Sequence, residues 1–379
     1  MGLWYDSGDP AVVNVWELDM DREVRARYPL LDPRNGFAGK GKSKLVELKD
    51  DLTAKPGRNV RTKLRYQMHM RGRAGQEVLK GHLGSYKWAN FDIYVEKVRG
   101  GFETSDEIVD QWVTEDSVEE GRDGVADWFA TRFELVCNAH AAGFHLITDE
   151  PYRFHNEIVA PHSDYLIRPG NATTAEGLTS SHKFDVDLVN KVVRRMKKVR
   201  PKIRPAQTPW GPRYCCFMDS VQVADMKESD TIWFTTMQNA LKGGRVEDNP
   251  LFNNVLGEWD GVLFFESDAI PPGISSTNTL QPDTRRAWIG GAQALFMAFG
   301  RGRAPSGYGL NRFRWISDEE DFENVYQVVA KTIVGVAKPR YKHPDETTAR
   351  DYGVVVLETY AKQEVTGEYQ EWEDAIAGV

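Results

Sequence analysis

Cysteine is scarce in this sequence, with only 3 among 379 residues. Two of them, Cys215 and Cys216, are adjacent and cannot easily form a disulfide with each other. A disulfide between either of them and Cys137 would leave one cysteine unpaired. The count therefore excludes a disulfide-stapled framework and is typical of a protein from a reducing compartment. We expect Cys215 and Cys216 to be buried structural thiols, because no nearby residues suggest the partners of a cysteine nucleophile.

Long apolar runs are also missing. The longest uncharged apolar stretch, Ala287–Gly300, has 14 residues, whereas a membrane-spanning helix needs about 20. The first ten residues, MGLWYDSGDP, lack the basic start and apolar run of a secretory signal. Asp6 occupies the position at which a myristoylation motif has Ser or Thr. We therefore expect a soluble protein.

Catalytic signatures are equally sparse. There is no GxSxG motif and no CxxC pair, and the glycine-rich stretch Gly300–Gly309 lacks the GxxxxGK[ST] pattern that holds phosphates. The consecutive acids Asp318–Asp321 point to different sides and are better explained as a solvated turn than as catalytic carboxylates. Four histidines and two acids lie within 25 residues without the spacing of a common zinc motif, namely His140, His145, His155, His162, Glu157 and Asp164. We expect no enzymatic activity, no metal and no cofactor.

What the sequence has in abundance is charge, and it is unevenly distributed. The whole chain has a formal net charge of −8. Two basic blocks, Lys55–Lys87 and Lys191–Arg204, each carry a net charge of +8, so the remaining residues sum to −24. An acidic passage, Glu103–Glu120, carries eight acidic residues and no Lys or Arg. Such separation favours electrostatic docking between copies or contact with a polyanion.

The first basic block predicts a two-stranded arm with a flexible tip. Residues 58–70 alternate between apolar and basic or polar side chains, which is the period of a strand. Residues 89–100 alternate in the same way, with Phe91, Ile93 and Val95 on the apolar face. Glycines are frequent between the two segments. A lone two-stranded ribbon is marginal in water, so this arm needs a supporting surface in its own chain or in another copy.

A long amphipathic helix follows the acidic passage. Ser117 and Glu120 form a capping box at its start. Apolar residues recur at helical spacing from Val125 to Ala139, and Gly143 ends the helix. About 25 residues correspond to a rod of roughly 38 Å. Apolar residues cover more than half of its girth, so we expect it to pack on two sides.

The remaining segments predict an alternation of helices and strands. We expect the last two strands to form one sheet that packs on the long helix, and we expect residues before about 44 to form an extended arm or a frayed terminus. The predicted elements are helices at 184–199 and 230–241, a strand leading into a helix at 213–227, a buried strand at 259–267, a strand that turns helical within 284–302, and late strands Val325–Tyr341 and Asp351–Ala361.

Each basic block has two open interpretations. Lys191–Arg204 could bind nucleic acid, but a solvated helix face is favoured, because five of its eight charges lie on the polar side of the predicted helix. Lys55–Lys87 could also bind nucleic acid. Its acidic neighbour in the sequence fits contacts between copies better, because a closed assembly can bring each arm onto the next copy's acidic surface. Exposed ion pairs each contribute only about 0–1 kcal/mol, so many would be needed.

The order of these elements resembles the Hong Kong 97-type (Johnson) fold of tailed-phage major capsid proteins, which is an α+β fold. Its parts are an N-terminal arm, an extended β-hairpin loop, a long spine helix, and peripheral and axial domains. Three stretches are more specific and resemble the coat protein family of N-four-like podoviruses, namely DNPLFNNVLGEWDGVLFFES (Asp248–Ser267), RRAWIGGAQALFMAFG (Arg285–Gly300), and FENVYQVVAKTIVGVAKPRY with DYGVVVLETYA (Phe322–Tyr341 with Asp351–Ala361).

The resemblance implies a domain organisation. The expected regions are an N-terminal arm (1–45), an extended loop with its flanks (46–102), a peripheral domain with the spine helix and late strands (103–143 plus 316–362), an axial domain (144–315) and a C-terminal tail (363–379). The extended loop would lie across an adjacent subunit, and the tips of the axial domain would meet at capsomer centres.

The resemblance also implies a function and partners. It implies a major capsid protein that self-assembles into an icosahedral shell around the double-stranded DNA of a tailed phage. Assembly would take place in the host cytoplasm, and the protein would reside in the virion capsid. The implied partners are other copies as pentamers and hexamers, packaged DNA through non-specific contact, portal and decoration proteins, and either a separate scaffolding protein or none. No membrane partner is implied.

Candidate contacts between subunits follow from the charges. We expect that reversing three tip cations, Arg71, Arg73 and Lys80, to Glu impairs assembly and leaves the monomer folded. The candidate cations are Arg58, Arg61, Arg65, Arg71, Arg73, Lys80 and Lys87, and the candidate acids are Glu103, Asp106, Glu107, Asp110, Glu115 and Asp116.

Three alternatives remain open at this point. A bacterial nanocompartment shell, similar to an encapsulin, would have the same fold and would enclose a cargo enzyme. A nucleic-acid-binding module would use the basic blocks and bind free DNA with a steep salt dependence. A metal hydrolase would use the histidine cluster and contain stoichiometric zinc. The motifs between Asp248 and Gly300 favour the phage capsid.

Overall fold

A computed structural model of the chain describes most of the sequence. The described residues are 20, 24–25, 28, 30–32, 35–54, 57–66, 73–75, 80, 83–84, 86–103, 117–229, 256–301, 303–304, 307–308, 312–320, 325–342, 347–365 and 367–378. The helices with described bounds are α1 (Asp51–Ala54), α2 (Ser117–Ala142), α3 (Val186–Lys198), α4 (Ser220–Ser229) and α5 (Gln370–Ala377). Short 3-10 helices lie at Ser163–Tyr165, Pro169–Asn171 and Ala175–Gly177.

The described strands all lie before α5, and more than half of them lie between α4 and α5. They are β1 (Ala38–Gly39), β2 (Val46–Asp50), β3 (Asn59–Arg65), β4 (Trp88–Tyr94), β5 (Glu96–Glu103), β6 (Leu166–Ile167), β7 (Ala206–Thr208), β8 (Gly211–Met218), β9 (Gly257–Trp259), β10 (Val262–Glu266), β11 (Pro272–Ile274), β12 (Leu280–Gly290), β13 (Leu295–Gly300), β14 (Arg303–Ala304), β15 (Gly307–Tyr308), β16 (Phe313–Glu320), β17 (Val325–Ala337), β18 (Arg340–Lys342), β19 (Ala349–Asp351) and β20 (Val354–Tyr360).

Two mixed sheets organise the described part of the molecule. The first sheet has the order β1-β2-β13-β17-β16, and β5 also pairs with β17. The second sheet has the order β6-β20-β12-β8-β10-β9, with β11 paired to β12 and β7 paired to β8. Separate two-stranded ladders join β3 to β4, β14 to β15 and β18 to β19. The architecture is therefore α+β, as expected from the order of the elements.

Consecutive strands are divided between the two sheets. Strand β12 belongs to the second sheet and β13 to the first, so residues 291–294 carry the chain across. Strands β17 and β20 are divided in the same way. The prediction that the late strands form one sheet is therefore wrong, and so is the prediction that 284–302 turns helical. Strand partners lie far apart in sequence, which local alternation does not reveal.

Helix α2 forms the spine between the two sheets. Phe129, Phe133 and Val136 belong to a core that also contains Met297 of the first sheet and Trp288 of the second. All eight residues from 135 to 142 are buried. The predicted packing on two sides is confirmed, and it follows from apolar side chains that cover more than half of the helix.

The spine helix ends at the predicted residue. Gly143 has a φ angle of 68°, in the left-handed region that glycine adopts without a steric penalty. The amide of Phe144 donates a hydrogen bond to the carbonyl oxygen of Ala139 at 2.9 Å. This bond satisfies one of the carbonyl groups that a helix leaves unpaired at its end.

Helices α3 and α4 cover the opposite face of the second sheet. Along β8, Cys215 and Phe217 face the core of the spine helix, whereas Cys216 and Met218 face α3 and α4. Burial raises the pKa of both adjacent thiols far above the ordinary range, which removes the reactive thiolate. Their prediction as buried structural thiols is confirmed. The apolar stripe predicted for α3 is also buried, at Val186, Val189, Val192, Val193 and Met196.

The C-terminal tail contains a helix that composition did not indicate. Helix α5 holds Trp372 and Ala375 in the interior, and the rings of Trp372 and Phe144 meet at 5.0 Å between centroids. The tail therefore closes over the C-terminal end of the spine helix.

The acidic run near residue 320 differs from its prediction as a turn. Residues 318–320 belong to strand β16, where Asp318 lies opposite Gln327 of β17. The predicted helix at 230–241 and the last acid, Asp321, lie outside the described residues. No helix within the described ranges is long and apolar enough to cross a membrane.

Candidate intersubunit surfaces

Strands β3 and β4 form the predicted two-stranded ribbon. They are antiparallel, with Asn59 opposite Tyr94 at one end and Arg65 opposite Trp88 at the other. The inner face of the ribbon packs on its own chain. Val60 and Ile93 lie in a cluster with residues of β13 and β17, and further along Ala89 and Leu64 contact Tyr341 and Tyr352. The predicted apolar face is confirmed for these residues.

The loop after the spine helix holds the base of the ribbon. Asn156 accepts a hydrogen bond from the amide of Tyr94 at 3.0 Å and donates one to its carbonyl oxygen at 2.9 Å. A Cβ atom on Gly335 would lie 1.9 Å from that carbonyl oxygen, so only glycine fits beneath it. The guanidinium of Arg58 lies 3.2 Å from Nε2 of His155. The orientation of the ribbon is therefore fixed by both the spine region and the first sheet.

The outer face of the ribbon combines cations with exposed aromatic rings. Side chains on this face alternate with those of the inner face, as the pleat of a strand requires. Trp88 is 55% exposed and Tyr94 is 42% exposed. The outer residues are Arg61, Lys63 and Arg65 from β3 and Trp88, Asn90, Asp92 and Tyr94 from β4.

Exposed apolar side chains are concentrated in this ribbon. Seven large ones are exposed within the described residues, and four of them, Leu83, Tyr86, Trp88 and Tyr94, lie in the ribbon or its tip. Sequence reasoning missed this surface because it placed only Phe91, Ile93 and Val95 on the apolar face of this strand and otherwise considered only charge. The signal was present, since Trp88 and Tyr94 occupy positions of the same parity in one strand. Contiguous exposed apolar patches are typical of interaction sites, so the outer face of the ribbon is a candidate contact surface.

Arg61, a candidate contact for another subunit, is paired within its own ribbon. Its Nε lies 2.7 Å from Oδ1 of Asp92, and its Nη2 lies 2.8 Å from Oδ2. The two residues are direct cross-strand neighbours, so this bidentate pair forms without distortion. The hydrogen bond from Arg61 lowers the pKa of Asp92. Both groups therefore stay charged at neutral pH and neutralise each other.

The other candidate cations occupy different parts of the ribbon. Arg65 lies over the ring of Tyr86, with 5.6 Å between its Cζ atom and the ring centroid. Lys80 and Lys87 are exposed, and Arg73 is partly buried. Arg71 lies outside the described residues.

The acidic passage is described only at its edges. Glu103 ends β5 opposite Gln327, whose side-chain amide donates a hydrogen bond to it at 3.5 Å. Glu119 and Glu120 are exposed in the first turn of α2. The other candidate acids, Asp106, Glu107, Asp110, Glu115 and Asp116, lie outside the described residues.

The second basic block forms an exposed surface on α3 and the segment after it. All eight Lys and Arg side chains between 191 and 204 are exposed. Lys191, Arg194, Arg195 and Lys198 follow the helical repeat and form a stripe opposite the buried valines. We call the exposed side of residues 191–204 the α3 cationic face.

A chain of buried polar groups ties the spine helix to the second sheet. The indole nitrogen of Trp288 donates a hydrogen bond to Oδ1 of Asn138 at 2.9 Å. Asn138 donates to the hydroxyl of Ser267 at 3.0 Å, and this hydroxyl donates to Glu134 at 2.6 Å. Burial raises the pKa of Glu134 to about 7. On the same helix, burial lowers the pKa of His140 to about 4.

The predicted histidine cluster is spread over separate contacts. Nε2 of His140 lies 3.0 Å from the carbonyl oxygen of Arg153, and Nε2 of His145 lies 3.2 Å from Oδ1 of Asn278. Nδ1 of His162 accepts a hydrogen bond from the amide of Asp164 at 3.2 Å. Among the described residues, no three His, Cys, Asp or Glu side chains are grouped so that they could hold a metal ion.

Solved structures define the class to which this fold belongs. The capsid protein of Ralstonia phage GP4 superposes with a TM-score of 0.70 at 20% identity, over 87% of this chain and 90% of that one. The capsid protein of cyanophage Pam1 superposes with a TM-score of 0.66 at 17% identity, over 90% of this chain and 94% of that one. The capsid protein of Helicobacter pylori bacteriophage KHP40 superposes with a TM-score of 0.59 at 16% identity, over 86% of this chain and 90% of that one. The fold is the Hong Kong 97-type fold of phage capsid subunits.

The sequence itself identifies the family. Residues 6–363 match the model of the phage capsid protein family, so the chain belongs to that family. It is a major capsid protein, a structural protein and not an enzyme, and its copies form the icosahedral shell of a tailed phage virion. No curated protein matches the sequence.

Proposed function

We propose that each copy is joined to its neighbour chiefly by the outer face of the ribbon, within a shell that encloses double-stranded DNA. Trp88 and Tyr94 supply the apolar anchor of this contact, and the cations beside them face the neighbour's acidic passage, Glu103–Glu120. The observation that carries the proposal is the concentration of exposed aromatic side chains on one charged ribbon.

The balance of forces favours the aromatic rings over the charges as the source of affinity. Aromatic anchors in the centre of an interface contribute about 2 kcal/mol or more each when truncated. An exposed ion pair contributes only about 0–1 kcal/mol. The charges are better suited to orientation and to rapid encounter. The ribbon base, held by Asn156 and by the approach of Gly335, presents these rings in a fixed direction.

Removal of the two rings tests this proposal. Trp88→Ser together with Tyr94→Ser should reduce the fraction of subunits in shells more than tenfold, as measured by sedimentation velocity and negative-stain electron microscopy. The free energy of unfolding of the monomer should stay within about 0.5 kcal/mol of that of the unmodified protein, because both side chains are surface groups. Val365→Ser is a suitable control, since Val365 is 65% exposed and lies outside the ribbon. Normal shells from the double variant would contradict the proposal.

We also propose finer assignments that the resemblance implies. The chain would be most similar to the N-four-like podovirus coat proteins, and its copies would form pentamers and hexamers. Separate scaffolding, portal and decoration proteins and packaged DNA would be its further partners. The loop (46–102), peripheral (103–143 plus 316–362) and axial (144–315) regions remain a proposal. The passage of the chain between the sheets after β12 and again after β17 is the feature against which those boundaries should be tested.

The nanocompartment alternative receives no support from the family match, which is to phage capsid proteins. A direct test is the content of purified shells. Co-purification of a cargo enzyme in place of a genome would favour the nanocompartment, whereas encapsidated duplex DNA would favour the phage shell.

A further inference from the structure

The α3 cationic face lies on the outside of a well-anchored helix. The buried stripe of α3, including Val189, Val193 and Met196, packs on the second sheet. The segment that follows is also held in place. Ile203 is buried, its amide donates to the carbonyl oxygen of Met196 at 3.3 Å, and its own carbonyl oxygen accepts from the hydroxyl of Tyr214 at 3.2 Å. The eight cations therefore project from a rigid base.

These cations differ from several others around the second sheet in having no carboxylate partner within the described structure. Elsewhere, Arg168 and Arg286 both bind Glu358, at 2.6 and 2.8 Å. Lys183 binds Asp225 at 2.7 Å, and Arg213 binds Glu258 at 2.6 Å. No ion pair joins any Lys or Arg of 191–204 to a described acid. The +8 of this block is therefore not neutralised by the described neighbours.

Part of this charge stabilises the helix itself. Arg195, Lys197 and Lys198 lie in the last turn of α3, where cations interact favourably with the helix dipole by about 0.3–1 kcal/mol each. That effect fades within one turn of the helix end. It therefore accounts neither for Lys191, a full turn earlier, nor for Lys202 and Arg204 beyond the helix.

The chemistry of the face indicates the kind of partner. Protein interfaces are centred on apolar or aromatic side chains, yet none of the large apolar side chains exposed in the described residues lies between 186 and 204. Binding to a nucleic-acid backbone needs only cations, because it is driven by the release of counterions from the phosphates. An all-cation face with no apolar centre therefore suits phosphate better than a folded protein.

We propose that the α3 cationic face binds the phosphate backbone of the enclosed duplex without sequence preference. This inference rests on the proposed function, since it requires a shell that contains DNA. Because the rest of the chain is negatively charged, DNA can approach the subunit closely only at a cationic face. The whole protein has a net charge of −8 and the block +8, so the remaining residues sum to −16 and repel a polyanion.

The stripe has dimensions that match a phosphate backbone. Lys191 and Lys198 are seven residues apart, so they are separated by roughly 10 Å along the helix at ~1.5 Å per residue. Each strand of a duplex carries one phosphate per ~3.4 Å of helix axis. Several phosphates therefore lie within reach of the stripe, and no contact with the bases is required.

The test compares two variants with equal changes of charge. The first is K191Q, R194Q, R195Q and K198Q combined, which neutralises the stripe. The second, a matched control, is K42Q, K97Q, K227Q and K362Q combined, which removes four exposed cations elsewhere. The measurement is fluorescence anisotropy of a labelled DNA duplex with the full chain over a series of NaCl concentrations.

Neutralising the stripe should flatten the salt dependence. Since log K falls with log salt at a slope of about −0.9 per phosphate contact, loss of up to four contacts should reduce the slope by up to about 3.6. The control should keep the slope of the unmodified chain. The charge-conserving variant K191R, R194K, R195K and K198R should also keep it. If the neutralised variant is poorly folded, the single variants R194Q and K191Q should each reduce the slope by about 0.9.

The outcomes separate this inference from the proposed function. An unchanged slope in the neutralised variant, or an equal change in the control, would overturn the DNA contact while leaving the ribbon proposal intact. Preserved DNA binding combined with a loss of shells would assign the face to another protein instead. Shells that contain a cargo enzyme in place of a genome would count against the proposed function itself.

Discussion

The ribbon and the α3 cationic face contain basic blocks with the same net charge of +8, Lys55–Lys87 and Lys191–Arg204, but the two surfaces differ in what lies between the charges. On the ribbon, exposed Trp88 and Tyr94 alternate with polar residues, and Arg61 is neutralised by Asp92. On the α3 cationic face, exposed large apolar side chains and carboxylate partners are both missing among the described residues. The residues that accompany the cations, more than the net charge, distinguish a surface for protein from a surface for phosphate.

The largest expected effect distinguishes the α3 cationic face from the core beneath it, through the stability of two variants on the same helix. Met196→Ala should lower the free energy of unfolding by about 2–5 kcal/mol, because a fully buried side chain is replaced by a cavity. Arg194→Ala, on the exposed side of the same helix, should change it by about 0.5 kcal/mol or less. Urea unfolding of the monomer measures both. Similar losses for the two variants would mean that the cations belong to the packing and not to a separate surface.

A second prediction concerns pH and a group that lies apart from both surfaces. Glu134 belongs to the polar chain between the spine helix and the second sheet, and burial raises its pKa to about 7 in the folded chain. A raised carboxyl pKa gives stability that is complete below the unfolded value near 4.5 and is lost as the pH rises through 7.

The substitution Glu134→Gln should therefore stabilise the protein at higher pH. Near pH 8 we expect a gain of about 1–3 kcal/mol, and near pH 5 a much smaller one. The contribution of His140 to stability depends on pH with the opposite sign. Its pKa falls to about 4, so its contribution is present above the unfolded value of about 6.5 and is lost as the pH falls toward 4. Thermal unfolding across pH checks both, and an equal gain at all pH values would contradict the role of Glu134.

A third prediction tests whether the ribbon and the α3 cationic face have different partners. Reversing Arg71, Arg73 and Lys80 to Glu should reduce shell formation about tenfold, equivalent to about 1.4 kcal/mol, because each exposed pair contributes about 0–1 kcal/mol. The matched reversal of Lys191, Arg194 and Lys198 should leave DNA-free assembly unchanged. Electron microscopy with sedimentation gives the assembled fraction. Equal losses would show that the two surfaces do not have separate partners.

The smallest expected effect concerns the ion pair on the ribbon. If Arg61 acts within its own chain, Arg61→Ala and Asp92→Asn should each reduce assembly and stability slightly, by less than about 1 kcal/mol. The double variant should be no worse than either single one, because both remove the same interaction. A much larger assembly defect for Arg61→Ala than for Asp92→Asn would show that Arg61 contacts another copy.

Local periodicity predicted the elements that bury one face. The inner face of the ribbon, the spine helix with its stop at Gly143, and the apolar stripe of α3 were all readable, because each depends on residues close in sequence. The tail helix α5 was not, since it is only eight residues long and its buried residues pack on distant parts of the chain, as Trp372 does on Phe144. The division of late strands between two sheets depends on distant partners and left no local signal.

The prediction of the ribbon as an intersubunit contact stays a prediction, and the structure changes which side chains on it are candidates. Arg61 is paired with Asp92 within the ribbon, and the exposed rings of Trp88 and Tyr94 were overlooked. For the second block, sequence alone favoured a solvated helix face. The missing information was which cations have partners, and this depends on acids such as Asp92, Asp225 and Glu258 that other elements bring close.

The crossing of the chain between the two sheets has a mechanical consequence. The chain passes between the two sheets three times: from β5 to β6 through α2, from β12 to β13 through residues 291–294, and from β17 to β20. A force that pulls the two sheets apart is therefore carried by covalent backbone at three places, in addition to the packing between the sheets. The sheets cannot separate unless these connecting segments stretch or unfold.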